Sequence, residues 1–456
     1  MPVRETNKYI VLLIMGIISI IPIFLSNTFA AKYEITNYVI IQLSLFWLLF
    51  KFKEDRFKFL LSPSFLAVTY LNLNFIIGSW VFSNNLVFTR LLPDYKLWEH
   101  ASSRLFIFNI LNFFIILSYF VTLNLKFSLK QQINLNKINQ KFLFYTTVFL
   151  FITLLILSPY LEFLGFLLVV FKTALALILI AYAFKKFKLK YRIMLYFVIL
   201  LIFVIFSVES KREAIFLILP IVLLETSKLK LRFKFKQIFI LFALALGLCY
   251  FIITMSILRN YGGFKAKSFL EATTYVDDYI QTKTFVAGFM NNLEISTTYL
   301  HSNNAIEYLK KDKLDLVYGE TIIKPIFIFI PRSYFKFKPR SAIDIYTSEY
   351  DIEFRNRGGS FPISMQSELY LNFGYLSFIF GFIIFTFFNS VYKNALKLIK
   401  NNEILNYIYL LYMYEIFLFV IRGSGLDIFS VYSIVFIIFF ICFKLFLKIV
   451  YALTKT

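Results

Sequence analysis

Charge, glycine, proline, cysteine and histidine are all scarce in this 456-residue chain. Asp, Glu, Lys and Arg reach only 16%, where an average soluble domain carries about 25%. So little polar surface excludes a soluble globular enzyme. Two cysteines, both inside apolar runs (Cys249 and Cys442), exclude a disulfide scaffold. The two histidines, His100 and His301, stand alone, and no metal-ligand cluster, Walker loop or dinucleotide fingerprint is present.

What is abundant is hydrocarbon. Apolar residues make up 59% and aromatic ones 20%, with 60 Phe and 30 Tyr. The mean hydropathy is +0.74. Such a composition excludes a disordered chain and leaves the bilayer as the solvent. Against this stands a formal charge of +22, from 48 basic and 26 acidic residues. That excess fits a nucleic-acid binder, a membrane protein with positive inside loops, or a handler of anionic ligands.

A crossing helix needs about 20 predominantly apolar residues. Twelve candidate spans follow, approximately 9–30, 35–50, 59–82, 105–124, 142–159, 161–184, 193–208, 214–226, 237–258, 363–390, 405–421 and 428–449. The expected fold is therefore an all-α polytopic membrane protein. It has about 12 transmembrane helices and one large extracytoplasmic loop subdomain between spans 9 and 10. The chain divides into an N-terminal bundle (1–258), the loop subdomain (259–362) and C-terminal spans (363–456). The first span follows Arg4 and Lys8, as a signal peptide would, but its apolar run is too long and Thr28-Phe29-Ala30 is a poor cleavage site. It reads as an uncleaved anchor.

With the N-terminus in the cytoplasm, the inside loops carry Lys51–Lys58, Lys126–Lys141, Lys185–Arg192, Lys228–Lys236 and Lys393–Lys400. Together with the tails, Lys444 and Lys448, these segments hold 26 of the 48 basic residues. This is the positive-inside pattern, and it places both termini in the cytoplasm. The basic runs sit between spanning segments, with no aqueous domain to form a phosphate-tracking groove, so nucleic acid is excluded as a partner. Membrane lipid is the partner they fit. No internal repeat is visible, which weakens an inverted-repeat transporter.

The outside segment holds 14 basic and 12 acidic residues. Residues 266–312 read as a helix that Asn303-Asn304 is placed to break. Ile322–Ile330 is apolar but too short to span, and reads as an interfacial helix or a re-entrant piece. The basic stretch 331–340 (PRSYFKFKPR) follows, then an acidic stretch, then Arg355–Ser360.

Ionisable groups in or at the outer end of a span are expensive and mark function. Four places qualify: Glu209-Ser210-Lys211-Arg212-Glu213 between spans 7 and 8; Arg259 at the end of span 9; Arg422-Gly423-Ser424-Gly425 between spans 11 and 12; and Gln366, Glu368, Tyr370 and Asn372 entering span 10. Three of them also have a plainer reading. The first can be a self-paired turn, the second a cation at a helix C-terminus, and the last an interfacial polar cap. Glu368 and Asn372 share a helical face. Lys172, in mid-span, either snorkels or faces the bundle.

The recurring outer-side theme is Lys211, Arg212, Arg259, Arg332, Lys338, Arg340, Arg357 and Arg422. Guanidinium groups bind phosphate oxygens bidentately and stay charged. A convergence of them suits an anionic lipid headgroup, pyrophosphate above all, and stabilises pyrophosphate as a leaving group without a metal. No cofactor is expected. An outer-face enzyme has no ATP, so an activated lipid-linked donor would drive the reaction.

Gly319-Glu320, an apolar stretch, Ile330-Pro331-Arg332 and Lys338-Pro339 resemble the outer-loop pattern of the O-antigen/oligosaccharide repeat-unit polymerases (the Wzy type). So do Gly358-Gly359-Ser360, Glu368, Tyr370 and Asn372-Phe373-Gly374. The Lys211-Arg212 turn and Arg422-Gly423 match basic positions in such proteins. The resemblance is architectural over most of the chain and local over residues 319–374; a departure is Tyr334–Phe337, where a Trp is often found. It implies a metal-independent glycosyltransferase at the outer face of the bacterial cytoplasmic membrane. The enzyme would transfer a growing glycan from undecaprenyl pyrophosphate to a lipid-linked repeat unit, in O-antigen (lipopolysaccharide) or capsule biosynthesis, with a chain-length regulator as partner. By that resemblance Arg212, Arg259, Arg332, Arg340 and Arg422 bind the two pyrophosphates. Glu368 is the first candidate for the base that deprotonates the acceptor hydroxyl, followed by Glu213 and Glu209. The alternatives are an O-antigen ligase, for which His301 is the one loop histidine, and a polysaccharide flippase.

Overall fold

The computed structural model describes residues 3–52, 55–87, 99–125, 140–157, 160, 166–206, 211–228, 235–258, 263–264, 266–327, 330, 334–335, 338–401 and 403–421, with isolated positions from 434 to 445. Among the described residues every regular element is helical. The long helices are α1 (Val3–Ile20), α2 (Asn27–Lys51), α3 (Pro63–Ser83), α4 (Ala101–Asn124), α5 (Gln140–Leu157), α6 (Phe166–Lys186), α7 (Leu189–Phe206), α8 (Lys211–Lys228) and α9 (Phe235–Leu258). After them come α10 (Ile295–Lys310), α11 (Met365–Phe373), α12 (Ser377–Leu398) and α13 (Ile404–Ile421). The twelfth expected span, 428–449, lies outside the described residues apart from isolated positions.

Among the described residues six helical segments are long and apolar enough to cross a membrane: Asn27–Lys51, Pro63–Ser83, Ala101–Asn124, Gln140–Leu157, Met365–Asn401 and Ile404–Ile421. The chain is a helical, multi-pass membrane protein. The outward faces agree. Tyr145, Phe149, Ile152 and Ile156 recur at helical spacing along α5, and all are exposed. Ile193, Phe197 and Leu201 do the same on α7. Water would penalise such stripes, and lipid accepts them.

Local chemistry sets the helix ends. Pro22 stands in a 3-10 turn, Ile21–Phe24, where its missing N–H costs nothing. The Ser26 hydroxyl then accepts from Phe29 N at 3.4 Å and starts α2. Ser62 caps α3 in the same way, with Pro63 in its first turn. The expected tenth span breaks where Gly374 takes φ +54°, which separates α11 from α12.

The core is built by α2 along α3, α4 along α12 and α6 along α13. Aromatic edges interleave these helices. Phe75 meets Tyr38 at 5.2 Å, Phe108 at 4.8 Å and Tyr299 at 5.4 Å, all close to perpendicular. Such contacts contribute roughly 0.5–1.5 kcal/mol each beyond burial. Lys172 of α6 is buried, so it faces the bundle and does not snorkel.

The outer segment differs from its expected form. The single helix over 266–312 is instead four: Phe269–Thr274, Val276–Ile280, Phe285–Asn292 and α10. Glu294, in the left-handed conformation at φ +60°, makes the last break. Asn303 and Asn304 are buried within α10 and do not interrupt it. α10 packs against α3 and α11, and its Tyr299, Leu300 and Ile306 belong to the same core as the bundle. Of the apolar stretch, the described part is one helical turn, Glu320–Ile323, continued by a 3-10 turn, Lys324–Phe327, while residues 328 and 329 lie outside the described residues.

Candidate functional site

At one end of the bundle the termini of several helices are tied together. Ser102 at the start of α4 donates from its backbone to Asn27 Oδ1 (3.1 Å) and from its hydroxyl to Pro22 O (2.8 Å). Tyr299 of α10 lies against Phe82 at the end of α3, ring centroids 5.4 Å apart. Three polar clusters occupy this end.

The first is ionic. Arg104 of α4 is fully buried and reaches Glu34 of α2 at 3.4 Å and Glu307 of α10 at 3.7 Å. Glu34 also accepts from the Tyr299 hydroxyl at 2.9 Å. Glu307 accepts from the His100 backbone N–H at 3.3 Å and lies 2.9 Å from its ring Nδ1. A buried guanidinium holding two carboxylates this way is fixed on three helices at once. None of these residues stood among the sequence candidates. Hydropathy had placed Glu34 and Arg104 just outside the spans at 35–50 and 105–124, whereas α2 and α4 begin earlier and enclose them.

The second cluster contains two sequence candidates. Glu368 and Asn372 are one turn apart on α11, and Thr321 meets both. Its Oγ1 is 3.1 Å from Glu368 Oε1 and 3.0 Å from Asn372 Oδ1, so its single proton serves one or the other. Asn372 Nδ2 donates to Thr321 Oγ1 and to Glu368 O, each at 2.8 Å. Glu368 is only 1% exposed. Tyr370 is buried too, its ring at 90° to that of Tyr375. The α11 group is thus an interior cluster rather than an interfacial cap.

Amide and hydroxyl groups connect this cluster to the bundle. Gln366 donates to Asn112 at 3.1 Å, Asn112 to Asn72 at 3.3 Å, and Asn72 to Gln42 at 3.1 Å, across four helices. Asn37 and Asn109 bond reciprocally at 3.0 and 2.9 Å. Ser364 N donates to Ser302 Oγ (2.7 Å), and Ser367 Oγ to Ser302 O (3.0 Å), joining α10 to α11.

The third cluster surrounds His301. Its Nδ1 is 2.8 Å from the Tyr346 hydroxyl and its ring stacks on Phe361 at 4.1 Å. Burial pushes its pKa down to about 3, so the imidazole is neutral. Among the described residues, its buried Nε2 has no hydrogen-bond partner.

The basic candidates divide. Arg340 is exposed, and its backbone N–H donates to Glu320 Oε1 at 3.1 Å. Lys338 Nζ donates to Ile330 O at 3.3 Å. Arg357 is exposed at the end of a short helix and reaches Glu353 O at 3.4 Å. Lys211, Arg212 and Glu213 open α8, but the placement of their side chains lies outside what is described, as does Glu209. Arg259, Arg332 and Arg422 lie outside the described residues altogether. No family model matches the chain, and no curated protein or solved structure is detectably similar to it.

Proposed function

We propose that the protein is a polysaccharide repeat-unit polymerase, a membrane glycosyltransferase working at the outer face of the bacterial cytoplasmic membrane. It transfers a growing glycan from its undecaprenyl-pyrophosphate carrier to the nonreducing end of a lipid-linked repeat unit, in O-antigen or capsule biosynthesis. In this reading there are twelve spans, both termini are cytoplasmic and residues 259–362 lie outside. The guanidinium groups of Arg212, Arg259, Arg332, Arg340 and Arg422 hold the two pyrophosphates, assisted by Lys211, Lys338 and Arg357, and a chain-length regulator is the expected partner.

The observation that supports this most is that the two halves of the 319–374 pattern meet. Thr321 beside Gly319-Glu320 is bonded to Glu368 and Asn372, and Val317 N donates to Leu371 O at 3.0 Å. Glu320 in turn accepts from the backbone N–H of Arg340, whose side chain is exposed. Gly319–Thr321 and residues 368–372, the two described ends of that pattern, are therefore tied to each other.

The test is to delete the gene and resolve the surface glycan on a gel. A product stopped at a single repeat supports the polymerase. Accumulated free lipid-linked polymer would point to a ligase, and repeat units trapped inside the cell to a flippase.

A further inference from the structure

The reaction needs a group to take the acceptor proton, and Glu368 is sealed. His100 is not. Its side chain is 35% exposed, while that of its partner Glu307 is 5% exposed. The 2.9 Å contact with Glu307 Oε2 is satisfied when the ring donates from Nδ1. The lone pair then sits on Nε2, which has no hydrogen-bond partner among the described residues. The backbone bond from His100 N to Glu307 Oε1 fixes the residue further. Glu307 is itself held by Arg104, which is held by Glu34. A half-open imidazole oriented by a buried carboxylate is the arrangement a general base requires.

Lys311, one turn along α10 from Glu307, pairs with Glu99 at 2.8 Å. Lys310 donates to the Tyr375 hydroxyl at 2.7 Å. The charged groups around the His100–Glu307 pair are Glu99 beside it in the chain, Arg104 on α4 and Lys311 just past α10.

We infer that His100, oriented by Glu307, is the general base of the transfer. The inference rests on the polymerase reading. The acceptor hydroxyl oxygen bonds to the anomeric carbon of the donor glycan as the bond from that carbon to the pyrophosphate oxygen breaks. The hydroxyl proton passes to His100 Nε2, and the lipid pyrophosphate leaves with the electron pair.

The experiment uses purified full-length protein in lipid nanodiscs, with lipid-linked repeat units extracted from a strain lacking the gene. His100→Asn places an amide nitrogen where Nδ1 stood and keeps the bond to Glu307 while removing the base. General bases contribute about 10²–10⁴-fold. We expect His100→Asn to melt like wild type, to lose kcat by about 100-fold or more with KM little changed, and to lose the acid limb of the pH profile. Added imidazole should restore part of the turnover of His100→Gly. Wild-type turnover and pH profile in His100→Asn would overturn the assignment. So would a loss of turnover that tracks a lowered melting temperature and ignores imidazole, since that marks a purely structural tie. If wild-type protein leaves the units unextended, the polymerase reading fails and the base assignment fails with it.

Discussion

Gly78 of α3 lies directly beneath Tyr299 of α10: a Cβ built on Gly78 would come within 2.5 Å of the Tyr299 Cβ. The neighbouring atom is the root of the side chain, so rotating the ring does not relieve the clash. Gly78→Ala should therefore push α10 off α3, at a cost of about 1–3 kcal/mol from overpacking. Thermal unfolding in detergent reads the shift, and an unchanged melting temperature would mean that the two helices do not approach this closely.

Arg104 has a larger stake. Its removal leaves Glu34 and Glu307 buried with their shared cation gone. Arg104→Leu should cost about 3–5 kcal/mol, the usual penalty for breaking a buried ion pair from one side. The triple variant Arg104→Leu, Glu34→Gln, Glu307→Gln should recover much of that loss, because no charge is then stranded. Membrane yield and unfolding curves of the two proteins give the comparison.

Glu368 separates two roles. If its task is to accept from Thr321 inside the cluster, Glu368→Gln keeps an acceptor oxygen there and should retain turnover within a few-fold. Glu368→Ala should lose about 1–3 kcal/mol of stability by leaving Thr321 and Asn372 partly unsatisfied. A base at this position predicts the reverse for the Gln variant: normal stability with turnover nearly abolished. Turnover and melting temperature measured on the same preparations decide between them.

Much of the fold was legible because lipid-facing helices advertise themselves. α5 and α7 carry unbroken apolar faces, and hydropathy alone locates them. α10 shows where that legibility ends. Its inward face carries His301, Ser302 and Glu307, polar groups that lower its hydropathy. Those groups are instead met inside by Tyr346, Ser364, Ser367, His100 and Arg104. Hydropathy scores one chain segment at a time, and a polar helix buried by polar partners scores as exposed. The same limit hid Glu34 and Arg104: each charge lowers the local score, so the span appears to start after it. Glu368 and Asn372 were found because their i,i+4 spacing is local. Thr321 was not, since it closes the cluster from 47 residues away.

His301 makes the fold sensitive to acid. Its pKa is lowered to about 3 by burial, against an ordinary value of 6.5. The unfolded chain therefore binds a proton below about pH 6.5 that the folded chain refuses until about pH 3. The stability from this group is fully present above the unfolded pKa and declines as pH falls through that window. By pH 5 the loss should be about 2 kcal/mol. His301→Gln cannot titrate, so its melting temperature should fall less between pH 7 and pH 5 than that of wild type. Parallel curves for the two proteins would show that His301 is not neutral in the fold.

Arg212 and Arg422 carry the pyrophosphate argument, and they carry it from sequence: in the proposed twelve-span topology both break the positive-inside rule at outer turns, and Arg422 is followed by Gly423 and Gly425, whose N–H groups can nest an anion. An electrostatic contact that strengthens as pyrophosphate departs is worth about 3–4 kcal/mol, or 10²–10³-fold in rate. Arg212→Ala and Arg422→Ala should each abolish chain extension in cells while protein level stays normal. Arg→Lys at the same sites should recover only a fraction, since an ammonium is a point charge without the planar fork. Full-length glycan in both Ala variants would remove the clamp from the mechanism. Because the clamp would do the work that a metal does elsewhere, chelator added to purified protein and lipid-linked substrate should leave turnover unchanged, and strong inhibition would move the leaving-group role from arginine to a bound cation.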